Sequence, residues 1–83
     1  MADRFIDPQD AGYRQRRVAG IISVSPAGKI TKKVTLGEWE GVQELRLDIR
    51  KWDENDNMGK GITLNEDEVR VLRRILAETD FGR

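Results

Sequence analysis

Apolar and polar side chains alternate most clearly over residues 45–52, whose sequence is LRLDIRKW. Because successive side chains of a strand point to opposite faces, Leu45, Leu47 and Ile49 share a face that can build a core. The opposite face carries Arg46, Asp48, Arg50 and Trp52. The pattern therefore predicts a strand with one buried apolar face and one exposed face that is charged and aromatic.

Four strands are expected in the chain on the same reasoning. They are predicted at residues 18–25, 29–36, 42–52 and 62–64. The segments between them are rich in glycine, proline or acidic residues, which are typical of turns and loops. The order of elements is therefore strand, strand, strand, strand, followed by a helix.

The helix is predicted to begin directly after the fourth strand. Asn65 is a good N-cap, and Glu68 is placed to complete a capping box with it. Val69, Leu72 and Leu76 form the centre of an apolar stripe that is wide for one small sheet to cover. Part of this stripe is expected to contact a second copy of the chain.

The chain divides by composition into three parts. Residues 1–16 are polar and show no strand or helix period over about their first fifteen positions, so we expect a flexible arm. Residues 17–78 are expected to form one domain, and residues 79–83 a frayed tail. Because a chain of 83 residues buries only a modest fraction of its surface, dimerisation would add to the buried area, and we expect a homodimer.

Cysteine and histidine are both absent. Their absence excludes a disulfide framework and a thiolate metal site, and it removes the commonest general base. We therefore expect no enzymatic activity and no cofactor.

No apolar run approaches the roughly 20 residues that span a bilayer, and the N-terminus is too polar for a secretory signal. The protein is expected to be soluble and cytoplasmic, associated with the nucleoid, and without a membrane partner.

The charges of the chain cancel, but they are unevenly distributed. There are 15 basic and 15 acidic residues, and residues 11–37 contain six basic residues and no acidic one. Acidic residues gather at 38–44, 53–56 and 66–68. A neutral total can thus hide a surface of segregated charge, although chance can also produce such a distribution in a short chain.

The third strand and the loop after it carry candidate nucleic-acid contacts. Stacking of a base on an exposed indole contributes about 1–3 kcal/mol to binding. Trp52 shares its strand face with Arg46 and Arg50, whose guanidinium groups can bind phosphates. Lys60 lies between two glycines that let a phosphate approach closely. Each residue also has a structural alternative: packing of the indole, an ion pair between Arg50 and Asp48, or a solvated loop lysine.

The second strand and the hairpin after it supply further candidates. Lys33 falls on the polar face of this strand, whereas Lys32 shares the face of its apolar residues. Trp39 lies between Glu38 and Glu40 at a predicted hairpin end, where burial of an indole would be awkward. The acidic neighbours of Trp39 suit a protein partner better than a phosphate.

Two segments, DIRKW at residues 48–52 and NMGKGITLN at residues 57–65, resemble the C-terminal domain of the transcriptional coactivator called positive cofactor four and its short bacterial relatives. The resemblance covers about residues 30–76. It implies an α+β fold with a curved four-stranded antiparallel sheet and one C-terminal helix, in a homodimer that binds single-stranded or melted DNA with little sequence preference. It also implies a coactivator-like role in transcription regulation, but the activity attached to the long serine-rich regulatory region of the eukaryotic protein does not follow, because this sequence lacks that region.

The strand pattern and the resemblance together give one set of expected site residues. The nucleic-acid contacts are expected from Lys32, Lys33, Trp39, Arg46, Arg50, Trp52 and Lys60. The expected partners are single-stranded nucleic acid, a second copy of the chain and the transcription machinery. Whether DNA or RNA is the ligand stays open, since stacking and phosphate contacts serve both.

Two rival functions stay open beside nucleic-acid binding. The first is a protein-interaction module of the transcription machinery that does not contact nucleic acid itself. The second is a metal-dependent nuclease that uses Asp48, Asp53 and Asp56.

Overall fold

The computed structural model describes residues 4–82. Its elements are the helix α1 (Pro8–Ala11), the strands β1 (Tyr13–Val24), β2 (Ile30–Trp39), β3 (Arg46–Asp53) and β4 (Met58–Leu64), and the helix α2 (Glu66–Glu78). The strands form one antiparallel sheet in the order β1-β2-β3-β4. The predicted α+β fold, a four-stranded antiparallel sheet followed by one C-terminal helix, is confirmed.

Strand pairing is regular in the middle of the sheet and irregular toward its edges. β2 pairs with β3 without interruption from Ile30 and Asp53 to Gly37 and Arg46. Three register shifts interrupt the pairing of β1 with β2, and one interrupts that of β3 with β4. Because bulges bend a strand and increase its twist, the outer strands curve relative to the central pair.

Several strand bounds differ from the sequence-based prediction. β1 begins before residue 18, β2 continues past residue 36, β3 begins after residue 42, and β4 begins before residue 62. Gly37 and Gly61 lie inside strands, where a Cβ would clash with Tyr13 and with Arg50 respectively. These glycines, which were expected in turns, therefore allow a close approach inside the sheet, of the Tyr13 side chain at Gly37 and of the β3 backbone at Gly61.

The start of α2 agrees with its prediction. The Asn65 side chain accepts a hydrogen bond from the Glu68 amide at 2.8 Å, and the Glu68 carboxylate accepts one from the Asn65 amide at 2.9 Å. This reciprocal pair confirms the capping box. The helix touches β3 and β4 but buries none of its own residues completely.

The segment before β1 is more regular than expected. α1 begins at Pro8, behind an Asp7 cap whose side chain accepts from the Gln9 amide at 2.9 Å. Ile6 pairs with Met58 through two backbone hydrogen bonds of 2.9 and 2.7 Å. The predicted lack of regular structure is therefore wrong for α1 and the first residues of β1, because a cap and a strand bridge hold the backbone. Residues 1–3 lie outside the described part of the chain.

The two faces of the sheet differ from the predicted assignment of core and surface. The apolar face carries Val34, Leu36, Leu47, Ile49, Ile62 and Leu64. The aromatic face carries Lys33, Thr35, Trp39, Arg46, Asp48, Arg50 and Trp52. The buried hydrophobic cluster of the described residues consists of Tyr13, Trp52 and Met58, with Trp39 packed against it. The core of this single chain thus lies on the aromatic face, which we expected to be exposed.

Candidate nucleic-acid interface

Tyr13 lies across the aromatic face and links its aromatic and polar groups. Its ring centre is 4.8 Å from that of Trp39, at a tilt of 46°. Its hydroxyl hydrogen-bonds the buried Thr35 hydroxyl over 2.7 Å. Burial raises the pKa of the Tyr13 phenol, and the hydrogen bond to Thr35 opposes that rise. Tyr13 was missed from the sequence because its strand was expected to start later.

Trp52 is buried, which makes the expectation of an exposed indole wrong. It is 2% exposed, and the Nζ of Lys33 lies 4.2 Å from the centre of its ring. Tyr13 and Met58 complete the cluster around it. Met58 is its partner across the β3–β4 hairpin, but Tyr13 comes from a distant part of the chain, so a local pattern could not show that it covers the indole. Trp52 is therefore a packing residue in this conformation, with a cation on its ring.

Trp39 is only half-buried and is the more accessible of the two indoles. The guanidinium carbon of Arg50 lies 5.3 Å from its ring centre, within the range of a cation–π contact. The indole N–H groups of both Trp39 and Trp52 are buried and have no acceptor among the described residues. An unsatisfied buried donor costs about 1–3 kcal/mol, so it normally finds an acceptor in an ordered water, a ligand or another conformation.

Arg50 forms a buried ion pair with Asp48. Its Nε and one terminal nitrogen donate to the two carboxylate oxygens at 2.5 and 2.8 Å, and its other terminal nitrogen donates to the Gly59 carbonyl at 3.1 Å. The Asp48 side chain is fully buried and also accepts from the Thr63 hydroxyl at 2.9 Å. The ion-pair alternative for Arg50 is therefore present. It fixes the guanidinium, whose side chain is 13% exposed, beside Trp39.

Lys33 and Arg46 are the other cations of the aromatic face. Lys33 is the strand partner of Arg50, and Arg46 is the partner of Gly37. Arg46 donates to the exposed Glu44 carboxylate at 2.8 Å. Lys32 instead pairs with Lys51 in the alternate register, so it lies on the apolar face. Five of the seven expected residues, Lys33, Trp39, Arg46, Arg50 and Trp52, thus share one face.

Lys60 lies in a different setting, at the edge of the sheet beside the N-terminal segment. It is exposed and lines a cleft of about 250 Å³ together with Arg4 and Arg50. The ring of Phe5 packs over Gly59, where a Cβ would lie 2.7 Å from the ring. The N-terminal segment thereby brings a further cation, Arg4, toward the site. No sequence signal pointed to it, because its position depends on the pairing of Ile6.

The three aspartates of the nuclease hypothesis have structural roles here. Asp48 binds Arg50, as described above. The Asp53 carboxylate accepts from the amides of Asn55 and Asn57, both at 2.9 Å, and these bonds lower the pKa of its carboxyl group. Asp56 takes a positive φ of 61° in the same loop. Among residues 4–82, no group of three potential ligands is arranged to hold a metal ion.

Neither helix of the described chain has the length and apolar character needed to cross a membrane. This observation concerns the helices alone.

Comparison with known proteins gives one family. The model of a family described as Transcriptional Coactivator p15 (PC4) matches residues 29–75, which is more than half of the chain. The match includes β2, β3, β4 and most of α2, and it excludes α1 and β1. No curated protein and no solved structure gives a significant match.

Proposed function

Because the chain belongs to the transcriptional coactivator p15 (PC4) family, we propose that it binds single-stranded nucleic acid through the aromatic face of its sheet. The family is one of DNA-binding transcriptional coactivators. The supporting observation is that Lys33, Arg46 and Arg50 lie on one face with the half-buried Trp39. These cations neutralise phosphates and the indole stacks on a base, so binding tolerates most sequences.

The proposed roles differ among the remaining site residues. Lys60 contacts a phosphate at the edge of the sheet, beside Arg4. Trp52 stacks on a base only in a conformation in which the Lys33 ammonium has left its ring and Tyr13 and Met58 no longer cover it; otherwise it supports the site by packing. Lys32 lies on the apolar face, so it adds long-range attraction rather than a direct contact.

The main test compares two lysine variants in a binding titration. Fluorescence anisotropy with a labelled single-stranded oligonucleotide at several salt concentrations would follow the wild type, Lys33→Ala and Lys29→Ala. Lys29 is exposed in the β1–β2 turn, so its variant removes the same charge away from the aromatic face. We expect Lys33→Ala to weaken binding and to reduce the salt slope by about 1, and Lys29→Ala to have little effect. Equal affinity for duplex and single strand at matched salt would contradict the proposal.

We also propose a homodimer formed through α2 and the apolar face. Val71, Ile75 and Leu76 on α2 are more than half exposed. Two apolar clefts lie between α2 and the sheet, one beside Ile62 and Leu72, the other beside Leu36 and Leu47. A second copy would remove this surface from water, which is the dominant favourable term in association. Sedimentation velocity would show a single species of twice the chain mass.

A protein-interaction module of the transcription machinery is the second candidate function. It is favoured by the acidic residues around Trp39, namely Glu38, Glu40 and Glu44. A chain that binds no oligonucleotide at low salt but forms a stable complex with a protein of that machinery would establish it. Action in the cytoplasm, at the nucleoid, is part of the first proposal and would be tested by fluorescence microscopy of a tagged chain.

A further inference from the structure

A broad pocket lies beside Trp39, at the end of the aromatic face. Its volume is about 770 Å³, within the range of about 300–1,000 Å³ typical of ligand pockets. The side chains that give it chemical character are Gln9, Tyr13, Glu38, Trp39, Glu40 and Gln43. It thus combines two aromatic rings with side-chain amides and carboxylates.

One wall of this pocket comes from the segment before β1. Gly12 takes a left-handed conformation with φ of 80°, and its carbonyl accepts from the Glu40 amide at 2.7 Å. A Cβ at Gly12 would lie 3.1 Å from a Glu40 carboxylate oxygen, so the Glu40 side chain lies close over this turn. Gln9 and Gly12 both precede residues 29–75, to which the family model matches. The wall is therefore an addition outside the matched part of the chain.

The two carboxylates of the pocket are not equivalent. The Arg16 side chain donates to Glu38 at 2.6 Å, which offsets the charge of that carboxylate. Glu40 is exposed at the rim. An ionised carboxylate only accepts hydrogen bonds, so it repels a phosphate and favours a group that carries N–H. Arg14 also lines the pocket and offers a cation to a neighbouring backbone phosphate.

These groups suit one kind of nucleobase better than another. Cytosine, adenine and guanine each carry an exocyclic amino group that donates hydrogen bonds, and a Glu side chain commonly accepts from the N4 amino group of cytosine. Thymine instead presents two carbonyl oxygens on either side of its N3–H, and a carboxylate repels such oxygens. Side-chain amides such as Gln43 both donate and accept, so they complete the contacts of either kind of base.

We propose that this pocket holds one unpaired base of the bound strand and selects a base with an exocyclic amino group over thymine, with Glu40 as the selecting residue. The proposal rests on the proposed binding of single-stranded nucleic acid. It adds a preference at one position to binding that is otherwise tolerant of sequence. Trp39 stacks on the base, and Glu40 accepts from its amino group.

The test compares oligo-dC with oligo-dT of equal length, at one salt concentration and at pH 8, by competition against a labelled mixed-sequence strand. We expect the full-length wild type to prefer oligo-dC by about fivefold, as one good hydrogen-bonded contact to a base edge gives. Glu40→Gln replaces the carboxylate by an amide of similar shape. It is expected to bring the ratio close to one, mainly by strengthening binding of oligo-dT.

Glu54→Gln is the matched control, because Glu54 is exposed in the β3–β4 loop and does not line the pocket. It removes the same charge and should leave the ratio unchanged. Equal affinity of the wild type for the two oligonucleotides would overturn the selectivity and leave the general binding function standing. A preference that persists in Glu40→Gln would overturn the role of Glu40. Failure of the wild type to bind any single strand would remove both proposals together.

Discussion

The two faces of the sheet are covered by different means. The aromatic face is closed by its own chain, since Tyr13 and Met58 pack on Trp52 and each charged group there has a partner of opposite charge or a ring. The apolar face is covered only in part by α2, and Leu45 and Ile62 at its border remain more than half exposed. The aromatic face is thus mostly covered within a single chain, although the indole N–H groups of Trp39 and Trp52 lack acceptors, and the apolar face is only partly covered.

This difference shows what burial requires of each kind of side chain. Buried charges are tolerated when they are paired and hydrogen-bonded, as Asp48 is with Arg50 and Thr63. Aliphatic side chains need no specific partner, but they gain little until another surface excludes water from them. The aromatic face is therefore stabilised by specific pairs within one chain. The apolar face would be stabilised further by a second surface that covers it.

The most sensitive point of the aromatic face is the Asp48 carboxylate. Asp48→Ala leaves the Arg50 guanidinium buried without its counter-charge, so we expect a loss of about 3–5 kcal/mol in the free energy of unfolding. Urea denaturation would measure it. Asp67→Ala breaks an exposed ion pair with Arg70 on α2 and should cost no more than about 1 kcal/mol. Similar losses in the two variants would contradict the expected difference between the buried ion pair of Asp48 and the exposed ion pair of Asp67.

A substitution on the apolar face should affect the assembly of the proposed dimer more than the fold of one chain. Ile75 on α2 is 52% exposed and lines an apolar cleft. Ile75→Asp places a charge where the second copy would pack, so we expect dissociation of the dimer, with a loss of about 2–3 kcal/mol per chain from the dimer interface. Sedimentation velocity over a concentration series would measure it.

The control for this variant is Ala77→Asp, at an exposed position of the same helix that lines neither apolar cleft. It should leave the assembly unchanged. A dimer that survives Ile75→Asp would show that the apolar face is covered in another way.

The smallest expected effect concerns the Tyr13 hydroxyl. Tyr13→Phe leaves the buried Thr35 hydroxyl without its partner, and we expect a loss of about 1 kcal/mol at neutral pH. Because burial raises the pKa of the folded phenol, only the unfolded chain ionises just above its ordinary value near 10, and the wild type loses stability as the pH rises through that region. The stability difference between wild type and variant should therefore shrink or reverse above about pH 10. Denaturation curves from pH 8 to 11 would test this, and a difference that does not change with pH would contradict the raised pKa.

The sequence predicts those features that depend on neighbouring residues. The capping box of Asn65 and Glu68 spans three positions, and the pair of Asp48 and Arg50 spans two, so both could be proposed from spacing alone. The alternation of β3 also gave the correct sorting of side chains into two faces.

The choice of which face is buried depends on contacts between distant residues. Trp52 is covered partly by Tyr13, which is far away in the chain, and Ile6 pairs with Met58 across most of the domain. Alternation assigns side chains to faces but does not say what will cover them. For the same reason, the sequence did not indicate that Arg4 lies near the site or that Gln9 lines the pocket beside Trp39. Both residues belong to the segment that pairs through Ile6.

The bridge between Ile6 and Met58 also affects how the sheet behaves toward other chains. An open strand edge offers unpaired amides and carbonyls on which another strand can add, and this is a route to aggregation. Ile6 pairs with Met58 at the start of β4, so the rest of β4 and the whole of β1 remain open edges. β1 is the longer of the two and carries the exposed Ile21, Ile22 and Val24. Three breaks of register and a cluster of arginines near its start give this strand the irregular, charged outline that discourages pairing with a strand of another chain.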